Sequence, residues 1–556
     1  MTTAEAVVRM LSVVGIKRAY GIVGGKLQPL LAAMASQNAP QFIGTRHEAA
    51  AGMMAAAEAQ SSGGIAMAMA ELGPGGLNLL AGLGGAFANN LPVLAITSAN
   101  PLQVSRPSRG VMMDADTAAL FAPLTKASMT LLDGRRAPEL ITRLVRLAQS
   151  GRPGPVHLTI PADVMTATHP YDAAAFAPLS DPPKAHPAPD AVTRAADLLA
   201  GAKRPVILAG GGASDAAAQI VALGERLGAA MTASQMGLGI VPTDHAQFIG
   251  HGGVIGGPAI AEALRGADVV LALGCRLSSW FRDGDGPLLG DATLIHVDTN
   301  PEVFGLTVPA TVPMLADAGV TVAALREAVG NRHNADPAWL ASLRASLKAH
   351  QDALVPAQPS TPPHPAAWAD ALGKMLPVDA LVTLDGGHTS FWHNDLLPAR
   401  KPRTMLHEPG MAQLGFGLPA ALALKICHPD QPVICTIGDG SFGFTVQELD
   451  TARRLKLPVI VVIHNNAQWG VIATGQKASG FDLGTDLSGT DYAAIARGFG
   501  CNGETVTTLE DFATAFARAL TSKLPTVLDC RTEFVPHPMM PSFRGGATPI
   551  PPDRPL

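Results

Sequence analysis

A chain of 556 residues, 47% of them apolar and including 58 Gly and 46 Pro, is long enough for two to four α/β domains with many tight turns, and three is the central expectation. Its formal charge of −5 gives no electrostatic case for nucleic acid. Five scattered cysteines without a close CxxC pair argue against a disulfide framework or zinc site and suit core packing.

The chain opens with an amphipathic helix over residues 1–20, broken by charges and so neither a signal peptide nor a membrane span. Residues 64–98 are mostly apolar, but Gly73-Pro74-Gly75 and Asn89-Asn90 cut them into pieces too short to cross a bilayer. The expectation is a soluble, cytoplasmic protein with no membrane partner. Early strands end at Gly24-Gly25, with Lys26 just beyond, and at Arg46-His47-Glu48, where an alanine-rich helix starts. A carboxylate at such a junction is often only a cap. Glu71 through Asn78 reads as a turn that opens a helix, and Met112 and Met113 form a soft apolar pair.

Six prolines within residues 169–190 and five within residues 355–365 remove donors and stop helices, so both stretches read as linkers. The expected division is a first domain over 1–168, a linker over 169–190, a central domain over 191–330, a linker over 331–365 and a third domain over 366–556. In the central domain an apolar strand runs into Gly210-Gly211-Gly212, as a Rossmann-like βα unit would. At later strand ends Arg276 suits a phosphate and Asp298 a ribose hydroxyl.

In the third domain a strand leads into Gly387-His388-Thr389, small and polar residues that suit a diphosphate oxygen or a simple helix cap. Further on, Val433-Ile434-Cys435-Thr436-Ile437 enters the turn Gly438-Asp439-Gly440-Ser441, and a second strand over 459–463 ends at Asn465-Asn466, before Gln468, Trp469 and Gly470. Parallel strands would set these ends side by side at the carboxyl edge of a sheet, where ligands bind. A hard divalent cation could then take the Asp439 carboxylate, the Asn466 amide oxygen and the main-chain carbonyl of Gln468. Gly440 and Ser441 open a helix whose bare N–H groups suit an anion. The tail over 535–546, apolar but broken by proline and glycine, reads as a lid over substrate or as a surface-packed terminus.

The GDG turn, the ELDTARR helix, the PVIVVIHNN strand and the following WG pair together resemble the thiamin diphosphate-binding motif of the acetohydroxyacid synthase, pyruvate oxidase and benzoylformate decarboxylase superfamily. The resemblance covers nearly the whole chain. It implies an α/β fold of three doubly wound parallel-sheet domains: pyrimidine-binding, central Rossmann-like and diphosphate-binding. It also implies thiamin diphosphate and Mg2+ as cofactors, with Asp439, Asn466 and Gln468 as metal ligands.

Carried onto this sequence, Glu48 would hydrogen-bond N1' of the aminopyrimidine and relay the proton taken from thiazolium C2. Gly24, Gly73, Asn78, Gly387, His388, Thr389, Ala412, Leu414, Gly438, Gly440 and Ser441 would surround the cofactor. Leu414 falls where a bulky apolar residue bends the coenzyme, and the Ala412 carbonyl, where relatives usually have glycine, would accept from its 4'-amino group. Gly25, Lys26, Met112, Met113, Trp469, Val471 and Ile472 would line the substrate pocket. Lys26 would favour an anionic substrate, and the two methionines replace a Phe-Gln pair of acetohydroxyacid synthases, which makes the pocket more apolar.

The implied activity is a carbon–carbon lyase or carboligase reaction on a 2-oxo acid or related acyl donor. The implied assembly is a homodimer or homotetramer, because Glu48 of one chain would serve coenzyme held by its partner's third domain. The phrase GCRLSSWFRDGDG resembles the oxalyl-CoA decarboxylase and 2-hydroxyacyl-CoA lyase branch, so the central domain would hold FAD, ADP, the nucleotide end of CoA, or nothing, around Gly211, Arg276 and Asp298. A third reading, a non-catalytic nucleotide-binding relative, fits poorly with Glu48 beside an intact GDG and NN set.

Overall fold

The computed structural model describes residues 1–283 and 286–540. Strands β1 (Arg18–Gly21), β2 (Gln41–Gly44), β3 (Ala66–Ala70), β4 (Val93–Ala99), β5 (Ser128–Thr130) and β6 (Val156–Pro161) form one sheet in the order β2-β1-β3-β4-β6-β5. There follow β7 (Pro205–Ala209), β8 (Ala230–Ala233), β9 (Phe248–His251), β10 (Val269–Leu273), a two-residue pair β11 (Arg282–Asp283) and β12 (Gly286–Pro287), β13 (Thr293–Asp298) and β14 (Val312–Leu315). Apart from that pair they make a second sheet, β14-β13-β10-β7-β8-β9. The third sheet takes β15 (Leu381–Leu384), β16 (Met405–His407), β17 (Val433–Gly438), β18 (Ile460–Asn465), β19 (Asn502–Val506) and β20 (Thr526–Arg531), in the order β16-β15-β17-β18-β20-β19.

Pairing within each of the three sheets is parallel. Parallel sheets are covered on both faces, which is why their strands read as unbroken apolar runs such as AMAMA in β3 and VILA in β7. Counted from its own first strand, the third sheet repeats the order of the first, whereas the second has the 3-2-1-4-5-6 order of a Rossmann sheet. The α/β expectation of three doubly wound sheets is what the chain folds into.

The first and third sheets share a core. The helix Glu48–Ser62 packs on the helix Pro74–Ala88 where Gly52 and Gly82 let the backbones touch: a Cβ on Gly82 would stand 2.1 Å from the Ala49 carbonyl oxygen. Its other side meets the helix Gly417–Cys427, so that Met54, Leu79, Leu418, Leu422 and Ile463 join one apolar cluster. Leu418 and Leu422 are fully buried, each worth about 1.5–3 kcal/mol of transfer free energy.

Residues 331–365 carry the helix Pro337–Leu354, and residues 169–190 only the short turn Ala173–Phe176 and the start of the helix Pro189–Gly201. Of the tail, Val535 packs against Leu354, Val355 and Trp392, Met540 against Phe391 of the third domain and Ile255 of the central one, and 541–546 lie outside the described residues. Among the described residues no helix is long and apolar enough to cross a membrane.

Candidate active site

Three adjacent strands of the third sheet, β15, β17 and β18, end at one carboxyl edge, with Gly438 in register with His464. Each runs into a helix that starts there: His388–Leu396, Asp439–Thr445 and Gly470–Ala478. Their bare N–H groups and the positive ends of their dipoles meet at this edge. The Thr389 hydroxyl stands 3.2 Å from where a Cβ of Gly438 would lie, so the first two helix starts are in contact.

Asp439 is 4% exposed, and its Oδ2 accepts from the Ala467 N–H at 2.7 Å. Burial pushes its carboxyl up to about 6, a cost that a bound cation would remove. Ala467 sits in the left-handed region with φ 56°, which turns the chain so that Asn466 Oδ1 accepts from the Gln468 N–H at 3.1 Å. One buried carboxylate, one amide oxygen and a turn carbonyl form a donor set that fits a hard divalent cation. Tyr492, unmarked by the sequence reading, donates from its hydroxyl to the Asp439 carbonyl at 2.8 Å.

A second carboxylate shapes the loop over 408–417. Asp385, 1% exposed, accepts from Gly417 N–H at 2.6 Å and Gly415 N–H at 3.2 Å, and burial pushes it up to about 7. Glu408 accepts from the N–H groups of Met411 and Gln413 at 2.8 and 2.7 Å. Within this loop Ala412 has φ 49°, and Leu414 Cδ2 lies 3.5 Å from the place of a Gly386 Cβ and 3.9 Å from that of Gly387. Leu414 therefore leans over the Gly386-Gly387 turn, and Ala412 holds a backbone shape that glycine takes more easily.

The first domain gathers its own cluster. Glu48 opens its helix, accepts from Asn78 Nδ2 at 3.0 Å and places Oε1 3.2 Å from where a Cβ of Gly75 would lie. Gly24 is needed because Glu71 fills the space of its side chain at 2.0 Å, and Glu71 in turn accepts from Lys26 N–H at 2.9 Å. Gly73, φ 60°, faces the Met113 carbonyl at 2.6 Å, while a Cβ on Gly25 would meet open space. Met113 has φ 63° and is 36% exposed; Met112 is 81% exposed and Ile472 56%. Lys26, Trp469 and Val471 are half-buried.

The predicted residues thus fall into one cluster per sheet, tied together by two acids. Glu448, fully buried, accepts from the main-chain N–H groups of Arg46 and His47 at 3.0 and 3.1 Å, just ahead of Glu48. Glu408 accepts from Asn89 Nδ2 at 2.6 Å. Sequence held one clue to Glu408: a His-Glu pair stands at the end of β16 (His407-Glu408) as one stands shortly after β2 (His47-Glu48), and both acids accept from an asparagine in or at the end of the same helix. Glu448 was marked only as the first residue of the ELDTARR helix, with nothing to show that it reaches the first domain.

In the central domain Gly211 packs on Met236, at 2.9 Å from its missing Cβ, and Gly210 on the Gly274 carbonyl at 2.1 Å. Close packing thus accounts for the missing side chains of Gly210 and Gly211, while Gly212 is exposed. Arg276 donates to the Ala88 carbonyl at 2.9 Å, and Asp298, pushed up by burial, accepts from the Asn300 N–H at 2.9 Å. A cavity of about 520 Å³ lies against Arg152, Arg276, Asn300 and Thr307.

Three family models match the chain: the thiamine pyrophosphate enzyme N-terminal TPP binding domain over residues 1–120, the central domain over 192–325 and the C-terminal TPP binding domain over 385–530. The chain is 34% identical over 510 residues to a probable 2-ketoarginine decarboxylase of Pseudomonas aeruginosa, covering 90% of this chain and 89% of that one. It is 30% identical over 551 residues to a probable acetolactate synthase large subunit of Methanocaldococcus jannaschii, covering 95% and 91%. To the acetolactate synthase isozyme 1 large subunit of Escherichia coli it is 31% identical over 504 residues, covering 90% and 88%. With the matched domains falling on the three sheets described above, the chain belongs to the thiamine pyrophosphate enzymes, as a catalyst of the carboligase and decarboxylase kind.

Proposed function

We propose that this enzyme uses thiamin diphosphate and Mg2+ to cleave or join the carbon–carbon bond beside the carbonyl of a free 2-oxo acid. The supporting observation is Asp439: a carboxylate buried at the meeting point of three helix starts, where burial disfavours its ionised form and a cation would favour it. Asp439, Asn466 and the Gln468 carbonyl would hold Mg2+, and Gly438, Gly440, Ser441, Gly387, His388 and Thr389 the diphosphate. Bound coenzyme supplies a carbon nucleophile that adds to the substrate carbonyl and takes up electrons as a fragment leaves.

Around that group the chain's own residues have separate tasks. Leu414 and the Ala412 carbonyl set the ring orientation, with Gly24, Gly73 and Asn78 at the pyrimidine side. Glu48 holds and moves the proton at pyrimidine N1'. Lys26 meets the substrate carboxylate at the open side of Gly25, while Met112, Met113, Trp469, Val471 and Ile472 form an apolar wall. As the family resemblance implies, the complete site would take the Glu48 cluster from one chain and the Asp439 cluster from its partner, in a homodimer or a homotetramer.

The cavity lined by Arg152 and Arg276 supports a second reading, an acyl-CoA substrate whose nucleotide phosphates rest there. Purified enzyme with thiamin diphosphate and Mg2+, offered pyruvate, 2-ketoarginine, aldehydes and acyl-CoA thioesters, separates the two. Turnover of a free 2-oxo acid supports the first reading. Turnover confined to CoA thioesters replaces it with the second.

A further inference from the structure

The last described residues fold back over the third domain. Beyond β20, Glu533 N–H donates to the Pro363 carbonyl at 3.0 Å, and Val535 packs with Leu354, Val355 and Trp392. His537 is fully buried, its ring 4.5 Å from that of Trp392. Its Nε2 lies 3.5 Å from Asp395 Oδ2, the atom that also accepts from His350 Nε2 at 2.8 Å. Met540 closes the strap, buried beside Ile255 and Phe391.

Inside this clamp the main-chain N–H of His537 donates to Nε2 of His388 at 2.9 Å. A backbone amide can only donate, so Nε2 bears the lone pair and the ring's single proton is on Nδ1. Burial, with His537 and His364 nearby, lowers His388 to about 4, so the neutral ring this bond requires is the form present near neutral pH. Nδ1 makes no hydrogen bond to a described residue, and it stands 3.1 Å from where a Cβ of Gly470 would lie, at the start of a helix on the ligand-binding edge. The absent side chain at Gly470 is what leaves room for the ring.

We infer that His537 is a positioning residue: its main-chain N–H fixes His388 as the Nδ1–H tautomer and turns that proton toward the coenzyme diphosphate, with Asp395 and His350 holding the strap in place. This rests on the proposed placement of the diphosphate at the His388 helix start. A neutral imidazole with a free choice of tautomer would offer a lone pair to the anion part of the time. The strap removes that choice.

Histidine-selective 15N NMR of the full chain without coenzyme reads the tautomer, with the His388 signals assigned by their loss in His388→Gln. The wild type should show protonated Nδ1 and unprotonated Nε2. His537→Ala, which keeps the main-chain donor, should preserve this pattern, and His537→Pro, which deletes the donor, should shift His388 toward the Nε2–H form. Titration with thiamin diphosphate and Mg2+ should then show about a tenfold weaker affinity in His537→Pro than in His537→Ala, as expected for one misdirected hydrogen bond to a charged group. His388→Asn, whose amide takes the place of Nδ1, should bind more tightly than His388→Gln. A wild-type Nε2–H tautomer, or no change in His537→Pro, overturns the inference. So does the predicted tautomer combined with equal affinity in all variants. Failure of the wild type itself to bind thiamin diphosphate would instead overturn the placement of the diphosphate.

Discussion

The ring of Trp469 lies against Gly440, so close that a Cβ on that glycine would come within 2.5 Å of it. The middle glycine-acid turn and the tryptophan after the paired asparagines are thus two halves of one contact between neighbouring strand ends. Phe444 flanks the same ring edge-on at 6.2 Å, which limits its retreat. Gly440→Ala should cost about 1–3 kcal/mol by overpacking and shift the tryptophan fluorescence. Adding Trp469→Ala should recover part of the loss. Thermal unfolding of the single and double variants checks this.

Asp439→Ala removes the only side-chain acceptor of the Ala467 N–H among the described residues, and with it a buried carboxylate that is the first of the proposed metal ligands. The unpaired N–H should lower stability of the empty protein by about 1–3 kcal/mol. The larger effect should fall on ligand binding: the rise in melting temperature that thiamin diphosphate and Mg2+ give the wild type should disappear. A full rise in the variant would remove Asp439 from the metal site.

Acid should unfold the protein through its buried histidines. Burial lowers His157 and His393 to about 3 and His407 to about 4, below the unfolded value near 6.5. Their contribution is complete above pH 6.5 and is lost as pH falls, because the unfolded chain takes up protons that the folded one refuses, at about 1.4 kcal/mol per pH unit for each group. His388, lowered to about 4, acts with them, while Asp385, raised by folding to about 7, and Asp439, raised to about 6, work the other way and offset two of the four histidines. Melting temperatures should therefore fall steadily from pH 6.5 to 4.

Ala412 holds φ 49° between two acid-anchored turns. A left-handed alanine costs roughly 1–2 kcal/mol, partly offset by the greater backbone freedom that glycine loses on folding. Ala412→Gly should leave stability unchanged or raise it by up to about 1 kcal/mol, as read by chemical denaturation, whereas Ala412→Val should lower it.

Much of this site could be read from the chain because its signals are local. GDG and NN each sit at the end of an apolar strand, and parallel pairing of β17 with β18 brings them together without further information. The long-range bonds that the acids make to hold the loops left no such trace. Glu448 bonds N–H groups about 400 residues away in sequence, and Asp385 bonds Gly415 and Gly417 across a strand and a loop; neither contact has a periodicity to betray it. The packing of Gly210 on Gly274 and of Gly211 on Met236 was equally hidden, since a glycine run looks the same whatever its neighbours are.

The central claim is that Glu48 moves the proton of a coenzyme held by Asp439 and Asn466. Hydrogen–deuterium exchange at C2 of bound thiamin diphosphate, followed by NMR after rapid acid quench, measures that step without any substrate. In Glu48→Gln the coenzyme should still bind and its exchange should slow by about a hundredfold or more, the usual reach of a positioned acid–base group. Exchange at the wild-type rate in a variant saturated with coenzyme would contradict the account.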